Sequence, residues 1–293
     1  MKFLAQFIIV ISLLVIQFIF PHAIHAKDIH PVFKKLVNRL KTDGLNGRYL
    51  QDLFARPELK LMPEAVAKSL VRKEADLNYA QFLEEYSFTR TISYLKTHNR
   101  ILRKMENHFS ISATVVVAIL SVETSCGRYM GNFETLNVLA TQTLSVEPEI
   151  SRQIYDQIPQ EERLELDPKE TRERLRKKSR RAYKELKALL TYLKDQNIDP
   201  FTVKGSIEGA IGLPQFLPSN IKKYGFDGNG DGKIDLFQHE DAIASIASFL
   251  KAHNWREGNK YRRKKRIIRN YNPSDYYAST VLKLAERLTP HWQ

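Results

Sequence analysis

The sequence predicts a mainly α-helical protein of the α+β class with one small sheet. Apolar residues recur at three- and four-residue spacing along most of the chain, and strand-like alternation is sparse. Most of the 12 glycines fall between Gly205 and Gly232, which sets a loop-dominated region from Phe201 to Asp241. With 293 residues, 43% hydrophobic and 27% charged, the chain has apolar mass for a packed core, which excludes wholesale disorder. A lone cysteine, Cys126, excludes an intramolecular disulfide framework and a cysteine-rich zinc site.

Lys2 precedes an apolar run from Phe3 to Phe20, then Pro21 and the small Ala26. This pattern predicts a secretory signal cut after Ala26, with one catalytic unit over 27–293. The alternative is an uncleaved anchor, since the run approaches the ~20 residues that span a bilayer. The 46 Lys and Arg against 33 Asp and Glu give a net charge of +13, which favours an anionic partner. Export removes nucleic acid from the candidates and leaves an anionic envelope surface, lipid or wall polymer. A monomer in the periplasm is expected.

Short helices joined by turns at Asp43-Gly44 and Asn46-Gly47 are predicted over Ile29–Leu61. Helical spacing runs from Tyr79 to His108. Ser110–Ser125 forms an apolar helix, with Ser110 or Ser112 as N-cap and Gly127 as stop. Leu144–Pro168, with three prolines, is predicted loop-rich. Lys169–Gln196 is a long basic helix, so a basic helical insertion occupies about 146–200. Further helices follow at Ala242–His253 and Ser274–Leu288.

Three segments carry candidate chemistry. Ile111–Val122 holds no charge and is followed at once by Glu123. Desolvation there would raise the carboxyl pKa and suit it to donate a proton. The residues alone leave open an exposed helix-end carboxylate, or one paired with Arg128. Gly205–Ser219, GSIEGAIGLPQFLPS, is a shaped loop in which Gly209 and Gly212 allow close approach to a helix or a ligand. Gln215 offers an amide for sugar hydroxyls, and Ser206 a hydroxyl. In Tyr271–Thr280, Tyr271, Tyr276 and Tyr277 suit sugar stacking, Asn272 adds an amide, and Ser274 suits a helix N-cap.

Together, VETSCGRYMG around Glu123, LNVLATQTL, GAIGLPQFLPS, YGFDGNGDGKIDLFQHEDAIASIASFLKAHNW and YNPSDYYA resemble the lytic murein transglycosylase B family over about two thirds of the mature chain. The resemblance implies a lysozyme-like core. It also implies cleavage of peptidoglycan between N-acetylmuramic acid (MurNAc) and N-acetylglucosamine (GlcNAc), with formation of a 1,6-anhydro sugar. Glu123 would serve as the single acid and base, and Ser206, Gln215, Tyr271, Asn272 and Tyr79 would bind the glycan. Phe249 departs from the family's Tyr, so a sugar hydrogen bond is expected to be missing. The stretch from Val146 to Arg180 is longer and more basic than the family pattern.

Asp227-Gly-Asn-Gly-Asp-Gly-Lys-Ile-Asp235 follows an EF-hand loop, with oxygens from Asp227, Asn229, Asp231, the Lys233 carbonyl and Asp235. Gln238 stands where a bidentate Glu is usual, and Asp241 is the displaced substitute. Structural calcium is expected, a plain Asp/Gly turn being the alternative; no organic cofactor is expected. The basic runs Arg172–Arg181 and Tyr261–Arg269 suit either solvated helix surface or attraction to anionic polymer or lipid. A hydrolytic muramidase, with Glu134 or Asp241 as second carboxylate, and a silent wall-binding scaffold are the competing functions.

Overall fold

The computed structural model describes residues 28–73 and 77–292; the proposed signal segment, 1–26, lies outside them. The sequence predicts one unit from residue 27, but the packing divides at Pro57 into two compact units.

The first unit holds α1 (Pro31–Thr42) and α2 (Gly47–Phe54). Phe33, Leu36, Val37 and Leu40 share one face of α1, and Phe33 meets Phe54 edge to face at 6.0 Å. The predicted turns are present. Gly44 takes φ +90°, and Asn46 caps α2 by accepting the Tyr49 N–H at 2.9 Å.

The second unit, from Glu58, contains α3 (Pro63–Val71), a 3₁₀ turn (Tyr79–Leu83), α4 (Glu85–Thr97), α5 (Asn99–Phe109) and α6 (Ala113–Thr124). Next come β1 (Phe133–Glu134), α7 (Thr135–Leu144), α8 (Pro148–Asp156), α9 (Gln160–Leu164) and α10 (Pro168–Asp195). The unit ends with β2 (Lys204–Gly205), α11 (Pro218–Tyr224), α12 (His239–Ala252), α13 (Tyr261–Tyr271), α14 (Asp275–Leu288) and a 3₁₀ turn (Thr289–His291). The two strands pair antiparallel, Phe133 opposite Gly205 and Glu134 opposite Lys204.

Helix α6 is the axis of this unit. Every residue in it except Glu123 is buried, as an apolar surface on all sides requires. Ser112 caps it, its Oγ accepting the Thr114 N–H at 3.3 Å, while Ser110 ends α5 in the left-handed region at φ +56°. The two serines, alternatives in sequence, therefore do different work. Helix α7 is also buried on all sides and lies against α10, whose buried residues Thr171, Leu175, Ser179, Ala182, Leu186, Leu189 and Leu193 form one stripe. Helix α14 packs on α6.

Leu144–Pro168 is not the predicted loop, for it folds into α8 and α9. Pro148 opens α8, and Pro159 immediately precedes α9. The first turn of a helix tolerates proline because its N–H groups have no intrahelical acceptor. Pro218 likewise opens α11 within the region predicted as loop. The Tyr79–His108 pattern resolves into the 3₁₀ turn, α4 and α5, broken at Glu84 and His98.

The close approaches expected at Gly209 and Gly212 are to protein, not to open space. A Cβ on Gly209 would meet Leu139 Cδ2 at 2.5 Å, and one on Gly212 would meet the Leu236 carbonyl at 2.5 Å. Gly212 also takes φ +72°. Gly212→Ala should therefore destabilise the fold by more than about 1 kcal/mol in urea unfolding. Gly258→Ala, whose Cβ would meet nothing within 4 Å, should leave the midpoint within error.

Candidate active site

One cleft of about 590 Å³ collects the residues singled out in sequence. Glu123, Ser206, Gln215, Tyr271, Asn272 and Tyr79 all line it. They come from α6, the loop after β2, the C-terminus of α13 and the 3₁₀ turn at Tyr79, so tertiary packing alone brings them together.

Glu123 sits one residue before the end of α6. It does not pair with Arg128, which instead donates to Tyr86 Oη at 3.2 Å. Tyr277 Oη donates to Glu123 Oε1 at 2.6 Å. Burial pushes the Glu123 carboxyl up to about 7, against the smaller opposing pull of the Tyr277 hydrogen bond. The negative end of the α6 dipole acts in the same direction as burial.

The turn that follows is held firmly. Ser125 and Cys126 adopt φ +50° and +61°, and Gly127 +95°. The Ser125 and Cys126 amides close the helix on the Ser121 and Leu120 carbonyls, each at 3.0 Å. Thr124 Oγ1 contacts the Leu213 carbonyl at 3.1 Å and accepts the Gly127 N–H at 3.0 Å. Thr124 thus ties the end of the Glu123 helix to the Gly205–Ser219 loop. Burial pushes the Cys126 thiol up to about 12, which removes it as a nucleophile at neutral pH.

The loop side chains have divided roles. Ser206 Oγ accepts the N–H groups of Glu208 and Ala210 at 3.2 and 3.1 Å, which leaves its own O–H to donate. Gln215, at φ +48°, donates its amide nitrogen to the carbonyls of Gly212 and Met130 at 2.8 and 3.1 Å. Its oxygen is the group left for a ligand. Tyr271 donates its hydroxyl to the Pro214 carbonyl, and its ring lies parallel to Tyr277 at 6.4 Å. Phe249 is buried behind Tyr271 at 4.9 Å. Asn272 Oδ1 accepts the Ser274 N–H at 3.1 Å, and Ser274 caps α14.

Sequence reasoning placed Tyr277 among sugar-stacking aromatics. The structure buries it and turns its hydroxyl onto Glu123; its position three residues into an amphipathic helix was the available signal. Glu208, Arg181 and Arg72 also line the cleft and were missed. Both proposed second carboxylates lie elsewhere. Glu134 faces Lys60 at 3.9 Å and Asn137 at 3.4 Å, and Asp241 lies beneath the glycine-rich loop.

In that loop, Asp227 accepts the N–H groups of Gly230, Asp231 and Gly232 at 2.6, 3.3 and 2.8 Å. These bonds hold its carboxyl below the usual range despite slight desolvation. Asn229 Oδ1 accepts the Asp231 N–H at 2.9 Å, and Asp231 that of Lys233 at 2.8 Å. Asp241 is buried, and both of its oxygens accept backbone N–H groups, from Gly228 and Asn229 on one and Asp235 on the other. Among the described residues no three His, Cys, Asp or Glu side chains converge at ligand spacing. The oxygen donors of the loop nevertheless suit a hard cation, and the turn at Asp227 is already formed.

A family model described as the Transglycosylase SLT domain matches residues 28–266. Membrane-bound lytic murein transglycosylase B of Escherichia coli (strain K12) is 26% identical over 237 residues, 77% of this chain and 57% of that relative. The chain thus spans little more than half of that relative's length. The E. coli lytic transglycosylase Slt35, solved in complex with calcium, matches with a TM-score of 0.68 at 20% identity, over 89% of this chain and 94% of that one. SltB3 from Pseudomonas aeruginosa, solved in complex with NAG-anhNAM-pentapeptide, matches at 0.69 and 20% identity, over 89% and 80%. The mainly helical core with its small sheet is therefore the lysozyme-like one, and the chain belongs to the transglycosylase SLT-domain family.

Proposed function

We propose that this protein is an exported peptidoglycan lytic transglycosylase that acts as a monomer on glycan strands. It cleaves the MurNAc–GlcNAc β-1,4 bond and leaves 1,6-anhydro-MurNAc. The observation that carries the proposal is Glu123, a carboxyl raised to about 7 in a cleft lined by amide and hydroxyl groups. Protonated Glu123 gives its proton to the glycosidic oxygen as the C1–O bond breaks. The substrate's acetamido oxygen stabilises the positive charge at C1. The Glu123 carboxylate then takes the proton of the C6 hydroxyl as O6 bonds to C1, so no water is consumed. Ser206, the Gln215 oxygen, Asn272, Tyr79 and Tyr271 line the path of the sugars.

A muramidase would want a free second carboxylate beside Glu123. Glu208 is the other carboxylate lining the cleft among the described residues, and Lys178 and Arg181 hold it. A silent scaffold would have no use for a desolvated acid hydrogen-bonded to a buried tyrosine. Residues 1–26 are proposed as the export signal, and among the described residues no single helix is long and apolar enough to cross a membrane. The anionic envelope is the proposed partner of the net positive charge.

Calcium is proposed for the Asp227–Asp235 loop, in keeping with the calcium complex of Slt35. Asp227, Asn229, Asp231, the Lys233 carbonyl and Asp235 would hold it, with Asp241 fixing the loop from beneath. Its contribution would be structural.

Digestion of purified murein glycan, read by mass spectrometry, should give anhydro-muropeptides. Glu123→Gln should lower the rate by at least ~10²–10⁴-fold. Reducing-end products one water heavier would make the protein a hydrolase instead.

Donation requires protonated Glu123, so kcat/KM should fall as pH rises through about 7. The Tyr277 hydrogen bond lowers that pKa, so Tyr277→Phe should move the falling limb to higher pH. A limb that stays in place or moves down would contradict this role for Tyr277.

For a loop with Kd of ~10⁻⁴–10⁻³ M, calcium at ten to a hundred times Kd should stabilise the fold by about 1.4–2.7 kcal/mol, and Asp231→Ala should remove the effect. No binding heat and no rise in Tm at millimolar calcium would remove the metal.

A further inference from the structure

Helix α13 ends in the wall of the cleft and carries a dense, mostly unpaired charge. Its 11 residues, Tyr261–Tyr271, include six cations and no carboxylate. The longer stretch Arg256–Asp275 sets eight cations against two carboxylates, Glu257 and Asp275. Both are already engaged. Glu257 faces Lys264 at 3.4 Å and accepts the Ser112 N–H and the Trp255 indole N–H. Asp275 faces Arg269 at 3.2 Å and Lys265 at 3.6 Å.

The remaining cations point elsewhere. Arg256, Lys260, Arg262, Arg263 and Arg266 are exposed, and their side chains have no partner among the described residues. Ile267 and Ile268 are buried and hold the helix in place, where it packs on α14. With 3.6 residues per turn, Arg262, Arg263 and Arg266 then share the outward face. Tyr261 stands exposed at the head of the helix. The outer side of a surface helix is convex, so a broad surface can meet all three guanidinium groups at once. The other basic run does not stand alone in this way. The start of α10 shares a hollow with Glu161, Glu162, Glu165, Asp167 and Glu170, and Glu173 lies within the run itself. Its Lys178 and Arg181 hold Glu208.

We propose that α13 is a docking face for an anionic phospholipid membrane. Arg262, Arg263 and Arg266 pair with lipid phosphates, and Tyr261 enters the headgroup layer. Guanidinium forks meet phosphate oxygens bidentately, and tyrosine rings favour the boundary between water and acyl chains. The inference rests on the reading of the anionic envelope as partner, and not on the glycan chemistry. Its consequence is positional. A helix of 11 residues is about 16 Å long, and its last residue, Tyr271, lines the cleft together with Asn272. Docking through α13 therefore holds the Glu123 cleft close to the bilayer, against the glycan nearest the membrane.

The test is co-sedimentation of the purified full chain with vesicles of phosphatidylcholine, alone or with about a third phosphatidylglycerol. Binding to phosphatidylcholine alone is the baseline, since it reports the apolar run Phe3–Phe20 and not charge. Each cation at an anionic leaflet contributes about fivefold, so wild type should prefer the anionic vesicles by roughly a hundredfold or more. The variant R262Q/R263Q/R266Q should lower that ratio by about two orders of magnitude. R172Q/R176Q/R180Q removes the same charge from exposed positions of α10 and should keep the ratio within about threefold of wild type. Unfolding midpoints show whether the variants are folded. A wild-type ratio near one overturns the proposal. Equal losses in the two triple variants do so too, because they assign binding to net charge. Retention on lipid-free murein that is lost in the α13 variant, with the vesicle ratio unchanged, also overturns it and makes wall polymer the partner of α13. Binding to neither vesicles nor murein removes the anionic envelope as partner altogether. Glu123→Gln should bind vesicles as wild type does. If wild type cleaves no glycan while α13 carries the vesicle preference, the docking face stands and the transglycosylase reading falls.

Discussion

The structure depends on one costly placement, a carboxyl group at the end of a helix that is otherwise wholly buried. Each unit by which a carboxyl pKa is raised is about 1.4 kcal/mol by which the protein disfavours its ionised form. Glu123, raised to about 7, stands well above its ordinary value of 4.5. The surroundings are arranged to sustain this. Apolar residues of α6 remove water, and the helix terminus adds its partial negative charge. Tyr277 supplies a single hydrogen bond, enough to orient the carboxyl without restoring full solvation. Thr124 and the left-handed turn at Ser125–Gly127 fix where the helix stops, and so where the carboxyl points.

This arrangement was partly legible in the sequence, because an uncharged run ending in Glu is a local pattern. Ile111–Glu123 marked the candidate acid, but the run alone left open an exposed helix-end carboxylate or one paired with Arg128. The company it keeps could not be read there. Tyr277 lies 154 positions away, and only the packing of α14 on α6 brings its hydroxyl to the carboxyl. Ser206, Gln215 and Asn272 were candidates from their own segments, with turn and cap readings equally open, and Tyr79 became one only through the resemblance. The structure keeps both roles in Gln215, whose nitrogen braces backbone while its oxygen remains. Prolines misled locally. A proline reads as a helix breaker, yet Pro148, Pro168 and Pro218 all open helices, because their missing N–H costs nothing in a first turn.

The glycine-rich loop shows the same limit. The spacing Asp227–Asp235 predicted a calcium loop with Asp241 as its displaced carboxylate ligand, and in the structure both Asp241 oxygens accept backbone N–H groups of the loop. Sequence spacing does not show those partners. Asp241 lies in the first turn of α12 and answers backbone N–H groups of the loop, which would otherwise be buried without acceptors. Desolvation raises its pKa, while those N–H groups favour its ionised form.

The two glutamates of the cleft have been driven apart by their environments. Glu123 is raised by burial, and Glu208 is lowered because Lys178 and Arg181 outweigh burial. A pair split in this way ordinarily suggests an acid and an ionised partner for a cationic intermediate. Here the partner's charge is already neutralised. Lys178 and Arg181 sit on it, so a positive charge developing at C1 would meet an ion-pair network that is neutral or positive on balance. On the proposed reading, stabilisation comes instead from the substrate's acetamido group, as a single-acid mechanism requires.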